Sequence, residues 1–226
     1  MLKLNMGCGH NRIPGFVNVD SSAVCEPDQV ADLEVTPWPW PDSSAEVILF
    51  NHSLEHMGGD PKVFLALMTE LYRVAAPDCE VTINVPHPRH DDFINDPTHV
   101  RPITPALMSL FDREQNDAWK AAGNANTPLS HYTGVDLRLT HVQMRLAPRY
   151  QVMLAAGEVA EGGPAAPGGG AAERRGRDQD AASGAETFGV RPWRSPRRPL
   201  TARSTVIRRL TPSTRISPPG IHIIAT

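Results

Sequence analysis

Apolar and polar positions alternate in short runs over the first half of the chain, and one stretch breaks into helical spacing. Leu4 and Met6 flank Asn5 as the end of a strand that opens into Gly7-Cys8-Gly9. Phe16-Val17-Asn18-Val19 alternates again and stops at Asp20, and Val30-Ala31-Asp32-Leu33 is a third short segment ending near an acid. Thr36 to Asp42 holds three prolines and is excluded from helix and central strand. Ala45 to Phe50 reads as a strand opening into Asn51-His52-Ser53-Leu54-Glu55-His56. Asp60 and Pro61 then supply an N-cap and a first helical residue, and Val63, Phe64, Leu67, Met68, Leu71 and Val74 recur at intervals of three and four. That helix is expected to end near Pro77, before a strand over Glu80 to Pro86. The next segment, Pro86 to Pro105, is long, polar and punctuated by proline, a pattern that belongs to functional or disordered loops. A short helix over Pro105 to Phe111 and a loosely alternating late strand pair over Val135 to Leu146 complete the reading, with Tyr150 to Ala155 as its continuation.

The first two strands carry the most specific chemistry. Gly7 and Gly9 flank one residue after an apolar segment, which permits positive φ and lets a ligand approach the backbone. A bare pair of glycines is equally a tight turn. Asp20, at the end of the second strand, adds a carboxylate placed to accept both ribose hydroxyls of a nucleoside. No third glycine follows at dinucleotide spacing, and the interval between the two strands has no room for a full helix, which argues against a nicotinamide or flavin enzyme.

The run Leu4 to Asp20 resembles the first motif of class I S-adenosylmethionine-dependent methyltransferases, in the short-loop form of the type 11-like bacterial group. Three further blocks extend the resemblance to about Pro105: Asp32 with the Pro-Trp-Pro loop, the Leu54-Glu55-His56 turn, and the helix and strand from Glu70 to Pro86. The copy is imperfect. Glu46 stands where the family usually has Asp, and Asp78-Cys79 replaces the two glycines of a turn. The resemblance implies an α/β Rossmann-like methyltransferase sheet flanked by helices, with S-adenosylmethionine as cofactor. Gly7, Gly9 and Asp20 would bind it, Asp32 would accept from the adenine amino group, and Asn51 and His52 would face the methionine end. For Trp38 and Trp40 the favoured role is burial against the sheet edge. The loop from His87 to Arg101 resembles one that borders the acceptor pocket, and is expected to act as a substrate lid.

Histidines crowd this region. His99 first and His87 second are candidates for the base that removes a proton from a hydroxyl or amine acceptor; the alternative for His99 is to fix the loop's shape. His52, His56, His87, His90 and His99 with Asp91, Asp92 and Asp96 include metal-ligand types, but no set has a recognised metal spacing and no metal site is expected.

The chain has 226 residues, is 40% hydrophobic and carries a net charge of −3. The average hides an asymmetry, with about −8 on the first 156 residues and about +5 on the rest. Residues 1–156 are expected to form the methyltransferase-like domain. Residues 157–226, rich in Ala, Gly, Pro and Arg, are expected to be a disordered extension or a foreign sequence in place of the last strands, leaving the sheet's C-terminal completion open. The tail's acids and prolines interrupt its arginines without an aromatic ladder, so a nucleic-acid partner is not expected. Cys8, Cys25 and Cys79 are scattered, no apolar run is long enough to span a membrane, and a cytoplasmic protein is expected. The function that follows is methyl transfer to an oxygen or nitrogen of a small molecule or glycan intermediate. The competing expectation is a degenerate methyltransferase-like binding module without turnover.

Overall fold

The computed structural model describes residues 1–145, 152, 155–156 and 185–192. The described residues lie within one unit, Met1–Arg194. Seven strands form a single sheet: β1 (Leu2–Met6), β2 (Val17–Asp20), β3 (Gln29–Val30), β4 (Ala45–Asn51), β5 (Ala75–Pro86), β6 (Leu137–Met144) and β7 (Ala185–Pro192). Their order is β3-β2-β1-β4-β5-β7-β6. The first five strands run parallel, and β7 enters antiparallel between β5 and β6.

Helix α1 (Pro61–Val74) forms where the apolar spacing places it. Asp60 caps it by accepting from the Lys62 N–H, and Phe64, Leu67, Met68, Leu71 and Val74 are buried. They pack in the same core as Leu4, Met6, Ile48, Phe50, Val81, Ile83 and Val85, the inward-pointing residues of β1, β4 and β5. Glu70 is the one buried acid on this helix. Its carboxylate accepts the Trp38 N–H at 2.6 Å and pairs with Arg73, whose guanidinium also donates to the carbonyls of Trp38 and Trp40 and to Asp42. Those bonds, led by Arg73, hold the Glu70 carboxyl below its ordinary range. The Pro-Trp-Pro loop is thereby clamped to α1. Trp38 and Trp40 are both buried, edge to face at 5.8 Å, in agreement with a structural role.

The helix stops three residues earlier than Pro77, because β5 begins at Ala75. Asp78 and Cys79 make no glycine-like turn. They lie in an irregular stretch of β5 between the Ala45↔Ala75 and Val47↔Glu80 pairs, and neither residue has positive φ. Cys79 is wholly buried, and burial pushes its thiol up to about 12. The remaining helices are short: α2 (Asp91–Ile94), α3 (Pro105–Ser109), α4 (Arg113–Ala121) and α5 (Leu129–Thr133).

One boundary needs correction. The sheet is not left open after residue 156: β7 comes from inside the segment expected to lie outside the fold, and it pairs on both edges. Phe188 and Val190 are fully buried in the core. Composition averaged over a long Gly- and Arg-rich window conceals a strand of eight residues whose apolar positions alternate. The late strand pair expected within residues 135–146 is likewise one strand, β6, whose partner is β7. The proposed extension over residues 150–155 falls largely outside the described residues, as do residues 157–184 and 193–226.

Candidate functional site

Five parallel strands bring their carboxyl ends to one edge, and the chain leaves β1 toward β2 on one side while β4 lies on the other. Crevices at such a reversal are where open α/β sheets bind ligands. Gly7 and Gly9 follow β1, Asp20 ends β2, Asp32 follows β3, Asn51 ends β4, and His87 follows β5. All six therefore sit on the same edge.

On the β1–β2 side the two glycines do different work. A Cβ on Gly7, whose φ is +67°, would stand 2.5 Å from the Cβ of Ser53, so this residue lets the β1 loop abut the β4 loop. The Ser53 hydroxyl seals that contact by donating to the Met6 carbonyl at 2.7 Å. A Cβ on Gly9 would meet no atom within 4 Å; the space beside it is open. Asp20 lies beside it, with Oδ2 accepting the Gly9 N–H at 2.8 Å and Oδ1 accepting the Ser22 N–H at 2.9 Å. Each carboxylate oxygen keeps a second lone pair for a ligand.

No helix separates β1 from β2, as the spacing requires. Asn18 braces the intervening loop instead. Its side chain accepts from Ile13 N–H and Asn5 Nδ2, and donates to the Asp28 carboxylate. Bonds from Asn18, reinforced by Arg12, hold Asp28 below its ordinary carboxyl range. Asp32 is exposed, and its Oδ1 accepts the Glu34 N–H in a local turn. Asn51 accepts from Asn84 Nδ2 at 3.1 Å across the β4–β5 pair, and the second buried Asn84 atom, Oδ1, has no hydrogen-bond partner among the described residues.

On the β4–β5 side a buried acid organises the site. Leu54 to His56 form a single 3-10 turn, and the Glu55 carbonyl accepts the N–H groups of Val100 and Arg101, fastening the far end of the 87–101 loop. Arg101 donates to the Gly58 carbonyl and lies 4.4 Å above the Phe64 ring, a second anchor. The Glu55 residue is 1% exposed, and neither carboxylate oxygen has a hydrogen-bond partner among the described residues. Three imidazoles surround it.

His52 Nδ1 is 3.6 Å from Glu55 Oε1, and the carboxylate raises the imidazole's pKa against the opposing effect of burial. His52 also has φ of +52°, an uncommon conformation for a residue with a Cβ. His99 Nε2 lies 4.0 Å from Glu55 Oε1 and 3.8 Å from Asp96 Oδ2, with its ring stacked on Phe93 and edge-on to His56. Sequence reasoning gave Glu55 no role. The only signal was its place in the Leu-Glu-His block, since the partners that bury it come from more than forty residues away.

The two candidate bases therefore part company. His99 is enclosed, with Nδ1 spent on the Phe93 carbonyl at 3.0 Å and Nε2 turned toward acids. His87 stays at the mouth of β5, where Nδ1 accepts the Arg89 N–H at 3.2 Å. Burial, followed by Arg89 and His90, lowers its pKa, so that it is neutral near pH 7.

No protein-family model matches the sequence, and no curated protein sequence matches it. Among solved structures the chain is similar to a SAM-dependent methyltransferase from Archaeoglobus fulgidus, 14% identical, with a TM-score of 0.53 over 84% of this chain and 86% of that one. It is also similar to the YcgJ protein from Bacillus subtilis, at 16% identity and a TM-score of 0.45 over 85% and 92% of the two chains. A third similar structure is an S-adenosylmethionine-dependent methyltransferase from Mesorhizobium loti, at 16% identity and a TM-score of 0.43 over 84% and 90%. The mixed seven-stranded sheet with its flanking helices is the class I S-adenosylmethionine-dependent methyltransferase fold.

Proposed function

We propose that this protein binds S-adenosylmethionine at the carboxyl edge of β1, β2 and β4 and transfers its methyl group to an oxygen or nitrogen of a small molecule or glycan intermediate. The observation that carries the reading is the pairing of an open Gly9 with an oriented Asp20 carboxylate at the strand reversal. The residues present fit the group. Asp20 accepts the ribose hydroxyls, Asp32 the adenine amino group, and Asn51 and His52 face the methionine end.

When bound, S-adenosylmethionine supplies an activated sulfonium methyl, so the protein's main task is alignment of acceptor and methyl carbon. The loop from His87 to Arg101 borders the acceptor, held at its far end by Glu55 and Gly58. His87 takes the acceptor's proton at Nδ1, the ring nitrogen that keeps its lone pair and exchanges the Arg89 N–H for the acceptor, in an imidazole that burial keeps neutral. His99, enclosed and committed at Nδ1, fixes the loop instead.

The test is release of S-adenosylhomocysteine in the presence of a panel of hydroxyl- and amine-bearing small molecules and sugar nucleotides. Acceptor-dependent release by the wild-type protein is expected. Cofactor binding without release from any member of the panel would overturn turnover and favour the binding-module reading.

A further inference from the structure

A buried carboxylate with no hydrogen bond to either oxygen is expensive, and charges in protein interiors are normally paired or bound to a metal. Glu55 has this condition among the described residues, with the donor atoms of Glu55, His56 and His99 all within 4.8 Å of one another. We propose that these three residues bind a divalent first-row transition-metal ion, with Asp96 beside it. The proposal goes beyond methyl transfer and does not rest on it.

Both imidazoles are prepared for the role by what their other nitrogen does. The Phe93 carbonyl only accepts, so His99 Nδ1 carries the proton and Nε2 keeps its lone pair. The Thr98 hydroxyl spends its proton on Asp96 Oδ1 at 2.5 Å, so Thr98 Oγ1 accepts from His56 Nδ1 at 2.9 Å and His56 is likewise left with Nε2 free. Metal-binding histidines are typically held in this way, the second nitrogen donating to a carbonyl or to a group tied to a carboxylate. Here one histidine has each arrangement.

The donor chemistry selects the ion. Two neutral imidazoles and a carboxylate suit zinc, cobalt, nickel or iron, whereas magnesium and calcium take oxygen ligands. Ligand atoms at about 2.1 Å from a common ion stand about 3.4 Å apart in tetrahedral geometry, so a cluster within 4.8 Å closes by up to about 1.4 Å on binding. Glu55 and Asp96 give the charge that a dication neutralises, and three protein ligands leave a coordination position free. The sequence hides the site because the ligands are an adjacent pair and a histidine 43 residues further on, bridged by a loop whose backbone bonds to Glu55.

The experiment uses the full chain, stripped with a chelator, dialysed and titrated with Co²⁺ while visible absorption and bound metal are recorded. Saturable binding of one equivalent is expected, with an imidazole–cobalt band that Zn²⁺ displaces. His56→Ala, at a half-buried position, is expected to abolish it, and Thr98→Ala, at an exposed one, to weaken it by about 10- to 100-fold. Glu55→Gln removes the charge at nearly constant volume and is expected to abolish binding, with circular dichroism confirming the fold. His131→Ala, outside the cluster, is expected to bind as wild type. Failure to bind Co²⁺ saturably, or binding undiminished in His56→Ala and Glu55→Gln, would overturn the site and leave histidine protonation as Glu55's compensation.

Discussion

Between β1 and β2 the chain turns back within a few residues, and apart from the Gly7–Ser53 seam the bonds that shape that turn are local: Gly9 donates to Asp20, and Asn18 reaches back to Ile13 and Asn5. Beyond β4 the opposite holds, because Glu55 meets Val100 and Arg101 through its backbone and His99 through its side chain. The first region is a backbone cradle whose polar groups are oriented by neighbours in sequence. The second is a buried polar cluster closed by a distant loop, with its central carboxylate still lacking a hydrogen bond among the described residues. Under the proposed function the difference separates two tasks, a preset cofactor end and an acceptor end that is completed by its loop.

The largest effect expected from breaking this division is at His87. His87→Ala should lower acceptor-dependent S-adenosylhomocysteine release by about 10²- to 10⁴-fold while leaving S-adenosylmethionine affinity unchanged. The same assay gives a pH profile. Because burial and the nearby cations lower the His87 pKa from 6.5, the free base persists below that pH, and the acidic limb of the profile should lie on the acid side of 6.5. An equal loss in cofactor binding would erase the distinction between the two ends.

Gly7→Ala attacks the seam between the regions. The added Cβ collides with Ser53 in a backbone conformation of φ +67°, and the strain and overpacking together should cost about 2–4 kcal/mol, read as a lower denaturation midpoint. Gly9→Ala provides the contrast. Its Cβ faces open space, so it should lose cofactor affinity with a smaller loss of stability. Asn18→Ala is smaller again. Removing its amide strips partners from Ile13, Asn5 and Asp28 and should cost about 1–3 kcal/mol, measured by chemical denaturation.

The contrast also explains what was legible in the sequence. Helix α1 was readable because its cap, its proline and its apolar spacing all agree, and β1 and β2 because alternation ends at a glycine loop and an acid. The absence of a helix between them followed from length alone. Strand β7 was not readable, since eight residues of alternation lie within a composition that otherwise argues against a core. Glu55 was not readable either. Its isolation is a property of three-dimensional enclosure, and nothing near it in the chain distinguishes it from an exposed acid on a short turn. His99 was legible as a member of the loop, but its Nδ1 bond to the Phe93 carbonyl depends on how the loop folds back.

Cofactor binding at the β1–β2 cradle is the central claim, and isothermal calorimetry with S-adenosylmethionine and with NAD tests it most directly. The account predicts saturable binding of S-adenosylmethionine, none of NAD, and a loss of roughly 1.5–3 kcal/mol in Asp20→Ala as the ribose hydroxyls lose their acceptor. No S-adenosylmethionine binding at millimolar concentration, or an Asp20→Ala variant that binds as tightly as wild type, would contradict it.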